Sequence, residues 1–125
     1  MMLPITAADA IDYSLCNQTV TVYHKDSSTG AFTKNVYDRA FLDFKKVQSV
    51  DKTGSHEANG FLLVIPSSVP CVSIGDKVLL GIGSEISTAK EWAELIPSMV
   101  PNLVVVKYVD NKYYMGKMVH VEAGG

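Results

Sequence analysis

Three histidines and two cysteines are the first candidates in this sequence for metal ligands, general bases or nucleophiles. His24, His56 and His120 are spread along the chain and show none of the His/Cys/Asp spacings that are typical of zinc sites. Cys16 and Cys71 lie far apart and stand in no recognised nucleophile motif. We therefore expect no metal site and no enzymatic activity, and we interpret the cysteines as small thiols that are buried or half-buried.

A pair of glycines resembles the start of a dinucleotide-binding fingerprint. Gly81-Ile82-Gly83 supplies the first two glycines of that motif, but Ile86 stands where the third glycine is required. No long helix is predicted to open at Gly81 either. We interpret these glycines as residues of a turn or of a close approach between backbone segments, and the sequence predicts no cofactor.

The composition predicts one globular domain. The chain has 125 residues, of which 47% are hydrophobic and 19% charged, and its formal net charge is −2. This length is enough for one core without a disulfide. The slightly negative charge disfavours sequence-independent binding of nucleic acid through a basic face. The first residues lack a signal-peptide pattern and no run approaches a membrane span, so we expect a soluble protein made in a reducing cytoplasm.

The pattern of hydrophobic residues predicts a mainly β fold with six or seven strands and one or two short helices. The candidate strands alternate in polarity or are rich in β-branched and aromatic residues, and turn formers separate them. A parallel α/β fold needs a helix between most strands, so the sequence favours a small antiparallel β-barrel or sandwich. The predicted strands are residues 18–25, 32–39, 40–47, 61–65, 76–82, 103–109 and 113–122, where 40–47 could instead extend the second strand.

One helix and one hairpin turn have specific local signals. The helix is predicted over residues 89–96, with Ser87 or Thr88 as its N-cap and Glu91 as the capping-box partner. Asp110-Asn111-Lys112 predicts the turn of the final hairpin, because Asp and Asn tolerate positive φ.

The domain is predicted to span residues 18–125. Residues 1–17 precede it as an N-terminal arm or a short helix, for which Thr6 is a candidate N-cap. The residues predicted to be mainly buried are Val22, Phe41, Leu63, Val78, Leu80, Trp92, Leu95, Val105 and Val119.

Residues 49–59 form the longest polar stretch of the chain and predict a loop that adds little to the core. Trp92 on the predicted helix is a candidate partner interface, because Trp is enriched in interface hot spots; alternatively it is a core residue that packs the helix onto the sheet. The candidate residues for contact with other copies of the chain or with DNA, in or beside the loop, are Lys45, Lys46, Asp51, Lys52, His56 and Glu57.

Several segments, taken in order, resemble small proteins encoded in the head–tail module of siphophages and prophages of Gram-positive bacteria. The similarity covers residues 18–122 and leaves the N-terminal segment outside. The matching features are the strand Val20-Thr21-Val22-Tyr23-His24-Lys25 with its hairpin, the proline-bounded strand ahead of Gly75-Asp76-Lys77-Val78, the Trp92 segment and the closing Gly116-Lys117-Met118-Val119.

The resemblance implies a head-completion or stopper protein. Such proteins are small β-barrels that form a homo-oligomeric ring, a hexamer or dodecamer, between the portal-bound adaptor and the tail terminator or other tail proteins of the virion. A long loop of each subunit reaches into the channel and helps to retain packaged DNA without sequence specificity; the matching loop here is residues 49–59.

The resemblance brings no catalytic residue, metal, cofactor or membrane, and it implies synthesis in the bacterial host cytoplasm followed by assembly at the head–tail junction. Two other readings stay open. The first is another component of the same module, such as a tail terminator or a minor capsid protein. The second is a cellular β-barrel module that binds a peptide or an oligonucleotide on its sheet.

Overall fold

Seven antiparallel strands and one short helix make up the described part of the chain. The computed structural model describes residues 12–51 and 54–125, and for residues 45–51 and 54–59 it describes the backbone alone. The elements are β1 (Gln18–Lys25), β2 (Phe32–Asp51), β3 (Gly54–Pro66), β4 (Lys77–Leu80), α1 (Ala89–Glu94), β5 (Leu103–Val105), β6 (Tyr108–Tyr114) and β7 (Lys117–Gly124). The mainly β prediction is confirmed. The helix predicted to begin at Thr6 lies outside the described residues.

The strands form one sheet in the order β5-β4-β1-β2-β3-β7-β6. Strand β2 links the two halves of this sheet, because its first part pairs with β1 and its second part with β3. The sheet is not closed into a barrel, so the architecture is consistent with a small β-sandwich. The predicted strand 103–109 is split, and the chain passes through Val106 and Lys107 from one edge strand, β5, to the opposite edge strand, β6.

A glutamine side chain completes the hydrogen bonding where β2 changes partners. The pairing of β1 with β2 ends at Gln18↔Ala40, with a register shift between Gln18 and Val20. The side-chain oxygen of Gln18 accepts the Leu42 amide hydrogen at 2.7 Å. This contact satisfies a backbone donor that β1 no longer reaches. Of the two alternatives for residues 40–47, the structure therefore selects an extension of the second strand.

Side chains from both halves of the sheet form one apolar core. The most deeply buried apolar residues include Val20, Val22, Leu63, Ile65, Val78, Val106, Val121 and Ala123. Among the nine residues predicted to be mainly buried, the prediction is confirmed for Val22, Leu63, Val78 and Val119. Phe41, Leu80, Trp92, Leu95 and Val105 are only half-buried. Two of these five belong to the helical segment, and α1 contributes no buried residue.

The turn of the final hairpin lies at Met115-Gly116, so the prediction at Asp110-Asn111-Lys112 is wrong. The latter residues belong to β6 and pair with β7. Met115 and Gly116 have φ values of 53° and 79°. Positive φ at both central positions defines the two-residue turns that match the twist of a hairpin. Methionine rarely adopts this conformation, so the usable sequence signal was Gly116 alone.

The capping prediction for the helix is confirmed at Thr88. The Thr88 hydroxyl oxygen accepts the Glu91 amide hydrogen at 3.1 Å, and the Glu91 carboxylate accepts the Ser87 amide hydrogen at 3.1 Å. Hydrogen bonds to the Glu91 carboxylate, first from the Ser87 backbone and then from the Thr88 hydroxyl group, lower the pKa of the Glu91 carboxyl. Helix α1 ends at Glu94, two residues before the predicted end.

No helix in the described part of the chain is long and apolar enough to cross a membrane.

Candidate functional site

The predicted polar loop is a pair of strands. β2 and β3 stay paired from Phe41↔Val64 to Asp51↔Gly54, so residues 49–51 and 54–59 are strand residues and the loop prediction is wrong. Lys52 and Thr53, which lie outside the described residues, separate the two strands. The polar composition was misleading because the hydrogen bonds of a strand pair come from the backbone and need no apolar side chain.

Much of this hairpin extends beyond the rest of the sheet. β7 pairs with β3 only over Leu62 to Pro66, and β1 pairs with β2 only as far as Ala40. Within the described residues, segments 45–51 and 54–60 therefore pair only with each other. These two segments are termed the ribbon. At about 3.3 Å per residue it is about 23 Å long. A two-stranded hairpin is marginally stable in water, so contact with another chain would stabilise the ribbon.

The ribbon carries five of the six charged residues predicted to contact other copies or DNA; the sixth, Lys52, lies outside the described residues. Lys45 and Lys46 are at its base, and the acidic residues and the histidine are nearer its far end. Their backbone partners are Gly60 for Lys45, Asn59 for Lys46, Gly54 for Asp51, Ser49 for His56 and Gln48 for Glu57. The strand pairing thus brings these residues onto one narrow projection, although they do not form a loop.

An apolar groove of about 490 Å³ opens beside the base of the ribbon. It is termed the edge groove, and its lining includes Phe44, Gly60, Phe61, Pro97, Leu103 and Val105. Phe44 is 45% exposed, which is high for a large apolar side chain on a strand. The volume falls within the range of about 300–1,000 Å³ that is usual for binding pockets.

Gly125 lines one end of the edge groove, and Gly124 precedes it at the end of β7. A Cβ atom at Gly125 would stand 2.8 Å from the Val105 carbonyl oxygen and 2.9 Å from the Phe61 ring, and a Cβ at Gly124 would overlap the Tyr108 ring. Only glycine allows the backbone to pass this close to its neighbours. The groove therefore begins where the last residues of β7 come between β3 and β5.

A second pocket, of about 340 Å³, contains a histidine–aspartate pair. His24 Nδ1 lies 2.6 Å from Asp76 Oδ1, and the other oxygen of this buried carboxylate accepts the Ser73 amide hydrogen at 2.8 Å. Burial raises the pKa of the Cys71 thiol, which lines the same pocket, so the thiol is not activated as a nucleophile. The contact between His24 and Asp76 attaches the turn that precedes β4 to β1. The sequence did not predict it, because 52 residues separate the partners.

A polar cluster anchors the segment that precedes β1. The Tyr13 hydroxyl lies 2.7 Å from His120 Nδ1 on β7, and His120 Nε2 lies 3.2 Å from Glu122 Oε1. Burial, first among several causes, raises the pKa of the Tyr13 phenol. On the neighbouring strand, Lys112 Nζ lies 2.6 Å from Asp110 Oδ2. This cluster fixes Tyr13, close to the start of the described residues, against β7.

Trp92 packs within the molecule. Its ring lies 5.6 Å from that of Phe32, and the Lys77 ammonium stands 4.4 Å from the centroid of the Trp92 ring while donating a hydrogen bond to the Trp92 carbonyl oxygen. Burial lowers the pKa of Lys77. These contacts attach α1 to the sheet, and because Trp92 is half-buried its role as a partner interface stays a prediction.

The glycines of Gly81-Ile82-Gly83 serve a turn against β1, as the sequence predicts. Gly81 has φ of 96°, and its carbonyl oxygen accepts the Thr21 hydroxyl hydrogen at 2.8 Å. The Gly83 amide donates to the Thr21 hydroxyl oxygen at 3.0 Å, and a Cβ at Gly83 would overlap the Tyr23 hydroxyl.

Among the side chains that the structure describes, no three of His, Cys, Asp or Glu lie close enough together to hold a metal ion.

The antiparallel sheet and its projecting ribbon define a small mainly β protein whose most distinctive surfaces are the ribbon and the edge groove. The chain belongs to the family described as a family of unknown function (DUF6751), whose model matches residues 15–125. No curated protein and no solved structure matches the chain.

Proposed function

We propose that this protein is a structural subunit of a phage neck, a head-completion or stopper protein. It would form a homo-oligomeric ring between the portal adaptor and the tail and help to retain packaged DNA. The observation that carries the proposal is the ribbon, a two-stranded projection with no third strand among the described residues. In a ring, copies of the ribbon from neighbouring subunits supply the contact that an isolated hairpin needs.

The charges of the ribbon are compatible with a channel. Its residues include Lys45, Lys46 and His56 as well as Asp51 and Glu57, so the two signs nearly balance. Opposite charges on neighbouring copies can pair around the ring axis. A near-neutral surface would not hold the phosphate backbone tightly while DNA passes, since tight sequence-independent binding requires many Lys and Arg contacts.

A shortened ribbon tests the proposal. The backbone pairing of Lys46 with Asn59 allows residues 47–58 to be replaced by Asn-Gly, the pair that favours a two-residue hairpin turn. We expect the melting temperature to change by no more than about 2–4 °C, because the deleted strands pair only with each other. We also expect particles carrying this variant to lose packaged DNA before or during tail joining, measured as DNA released per particle and as infectivity.

The matched control introduces the same Asn-Gly turn at a different hairpin, by replacing Met115-Gly116 between β6 and β7. This variant should retain DNA normally. Normal retention and infectivity with the shortened ribbon would show that the ribbon is not a channel element. A monomer that fails to assemble on its partner ring, together with a coding gene that has no portal or major capsid gene beside it, would reject the phage-neck assignment as a whole.

A further inference from the structure

Strand β6 lies at one edge of the sheet and carries three exposed tyrosines. It pairs with β7 on one side, and no described strand pairs with its other side. Tyr108 and Tyr114 are 50% and 43% exposed, and Tyr113 is more exposed than either. Other chains can pair with an exposed edge strand, and aromatic residues are enriched in protein interfaces. β6 is therefore a candidate docking edge.

The side chains on the outer face of β6 follow a symmetrical order. The register shift between Lys112 and Tyr113 adds its extra residue to β7, which advances from His120 to Met118 there, so β6 itself stays regular. Val109 packs against the core. Because side chains alternate between the two faces of a strand, the opposite face presents Tyr108, Asp110, Lys112 and Tyr114 in a row. In either direction, this row runs from a tyrosine through two opposite charges to a tyrosine.

We propose that β6 pairs with β6 of a second copy of this chain, antiparallel and about a two-fold axis at Asn111. Each residue then faces the residue that is equally distant from Asn111 on the other side. Tyr108 faces Tyr114 of the second copy, and Asp110 faces Lys112 of the second copy, so each kind of pair occurs twice. Directly opposed side chains of an antiparallel pair are close enough to interact, and both aromatic pairs and opposite charges stabilise the pairing.

The charges of β6 select this register. A shift of two residues in one direction would place Asp110 opposite Asp110, and a shift in the other direction would place Lys112 opposite Lys112. Like charges directly opposite each other destabilise a strand pair. Within one copy, Lys112 Nζ lies 2.6 Å from Asp110 Oδ2 and 3.8 Å from Glu122 Oε2. The side chains of Lys112 and Asp110 remain partly exposed, so charges of a second copy can join this group.

Asn111, at the centre of β6, carries a buried acceptor without a partner. Its side-chain oxygen finds no hydrogen-bond partner in the described part of the chain. Such groups are rare in folded proteins, because an unpaired buried acceptor is destabilising. At the two-fold axis, the two copies of Asn111 face each other. Rotation of the side chains allows each amide group to donate to the oxygen of the other.

The proposed contact closes after two copies. Both copies use the same surface, whereas a cyclic ring repeats a contact between two different surfaces. The pairing of β6 is therefore separate from the ring contacts of the proposed function, and it does not depend on a phage role. It covers an edge strand that would otherwise be open to pairing with other chains.

Sedimentation equilibrium of the full chain tests the contact by charge reversal. We expect the unaltered protein to have the mass of two copies. Asp110→Lys and Lys112→Asp each place like charges opposite each other, so the dissociation constant of each variant alone should rise roughly tenfold or more. An equimolar mixture of the two variants again places opposite charges at both positions. The mixture should therefore recover the mass of two copies.

The matched controls reverse the same charges at exposed residues elsewhere, with Asp38→Lys on β2 and Lys90→Asp on α1. Both control variants should remain dimeric. The double variant Asp110→Lys/Lys112→Asp exchanges the two charges within one chain, so it keeps their attraction and should dimerise as the unaltered chain does. This variant tests the contact even if a single reversal prevents folding.

Three results would overturn the proposal. The first is an unaltered chain that is monomeric at every concentration measured. The second is a dimer, or a larger ring, that neither single reversal weakens, which would assign the assembly to another surface of the molecule. The third is a loss of dimer that neither the mixture nor the double variant restores, because opposed charges would then not be its cause.

Discussion

Thr21 and Tyr23 on β1 illustrate how single side chains stabilise this fold through hydrogen bonds. Thr21 uses its hydroxyl group as donor and acceptor to the turn at Gly81-Ile82-Gly83, and the Tyr23 hydroxyl donates to the Ser84 carbonyl oxygen at 2.8 Å. Both side chains are buried. Burial of a phenol favours its neutral form, so the Tyr23 contact depends on pH.

At this scale, we predict a loss of stability in alkaline solution. Burial is the largest cause that raises the pKa of Tyr13, Tyr23 and Tyr37 above the ordinary value near 10. A raised pKa in the folded state gives stability that is complete below the unfolded pKa and is lost as pH rises through the folded pKa. The free energy of unfolding in urea should therefore decrease above about pH 10.

The variant Tyr23→Phe should weaken this pH dependence, because it removes one of the three phenols whose pKa is raised by burial. Tyr113→Phe serves as the control at a tyrosine that is 65% exposed, and it should keep the dependence of the unaltered protein. The explanation fails if the two variants lose stability equally between pH 9 and pH 11.

Contacts between residues that are close in the sequence could be predicted, whereas contacts between residues that are distant in the sequence could not. The turn role of Gly81 and the cap at Thr88 follow from their immediate neighbours, and both predictions are confirmed. The pairing of His24 with Asp76 depends on β4 lying beside β1, which no local pattern specifies.

Among the elements, β2 pairs with two strands in succession, first with β1 and then with β3. Where β2 changes partners, the Leu42 amide donates its hydrogen bond to the side-chain oxygen of Gln18. We predict that Gln18→Ala destabilises the protein by about 1–2 kcal/mol, because a partly buried backbone donor loses its acceptor. Gln18→Glu keeps an oxygen acceptor and should cost less. Urea unfolding of both variants measures this difference, and equal costs would show that packing rather than the hydrogen bond is responsible.

The errors in the predicted elements share one cause. Polar residues in 49–59 and at Asp110-Asn111-Lys112 were interpreted as loop and turn, yet both stretches lie in strands whose partners satisfy their backbone groups. Side-chain polarity reports which strands cover the core. It does not report where a two-stranded projection or an edge strand ends, since the backbone hydrogen bonds that define a strand do not depend on side-chain polarity.

For the whole molecule, Leu63 is one of the large core residues that are 0% exposed. We predict that Leu63→Ala lowers the free energy of unfolding by about 2–5 kcal/mol, through lost burial and the cavity that remains. Val36→Ala at a residue 42% exposed should change it by less than about 0.5 kcal/mol. Chemical denaturation gives both values. A cost below about 1 kcal/mol for Leu63→Ala would place β3 at the periphery of the core.

The number and type of strands could be predicted from the sequence, but their order could not. The described residues form seven strands, within the predicted six or seven, although two predicted strands merge into β2 and the predicted strand 103–109 divides between β5 and β6. The order is fixed by contacts such as Val22↔Val78 and Leu63↔Ala123, between residues more than fifty positions apart. These contacts form only when the complete set of strands is present, and no local pattern encodes them.

The passage from β5 to β6 through Val106 and Lys107 has a consequence for the nascent chain. β5 completes the sheet beside β4 and β7 completes it beside β3, so neither half is finished until the last third of the sequence has been synthesised. At about 5–20 residues per second, the residues after Leu80 take a few seconds to emerge. During that interval the edges of β3 and β4 are open to pairing with other nascent chains, so slow synthesis of this stretch prolongs the exposure and a bound chaperone is most useful while it is being made.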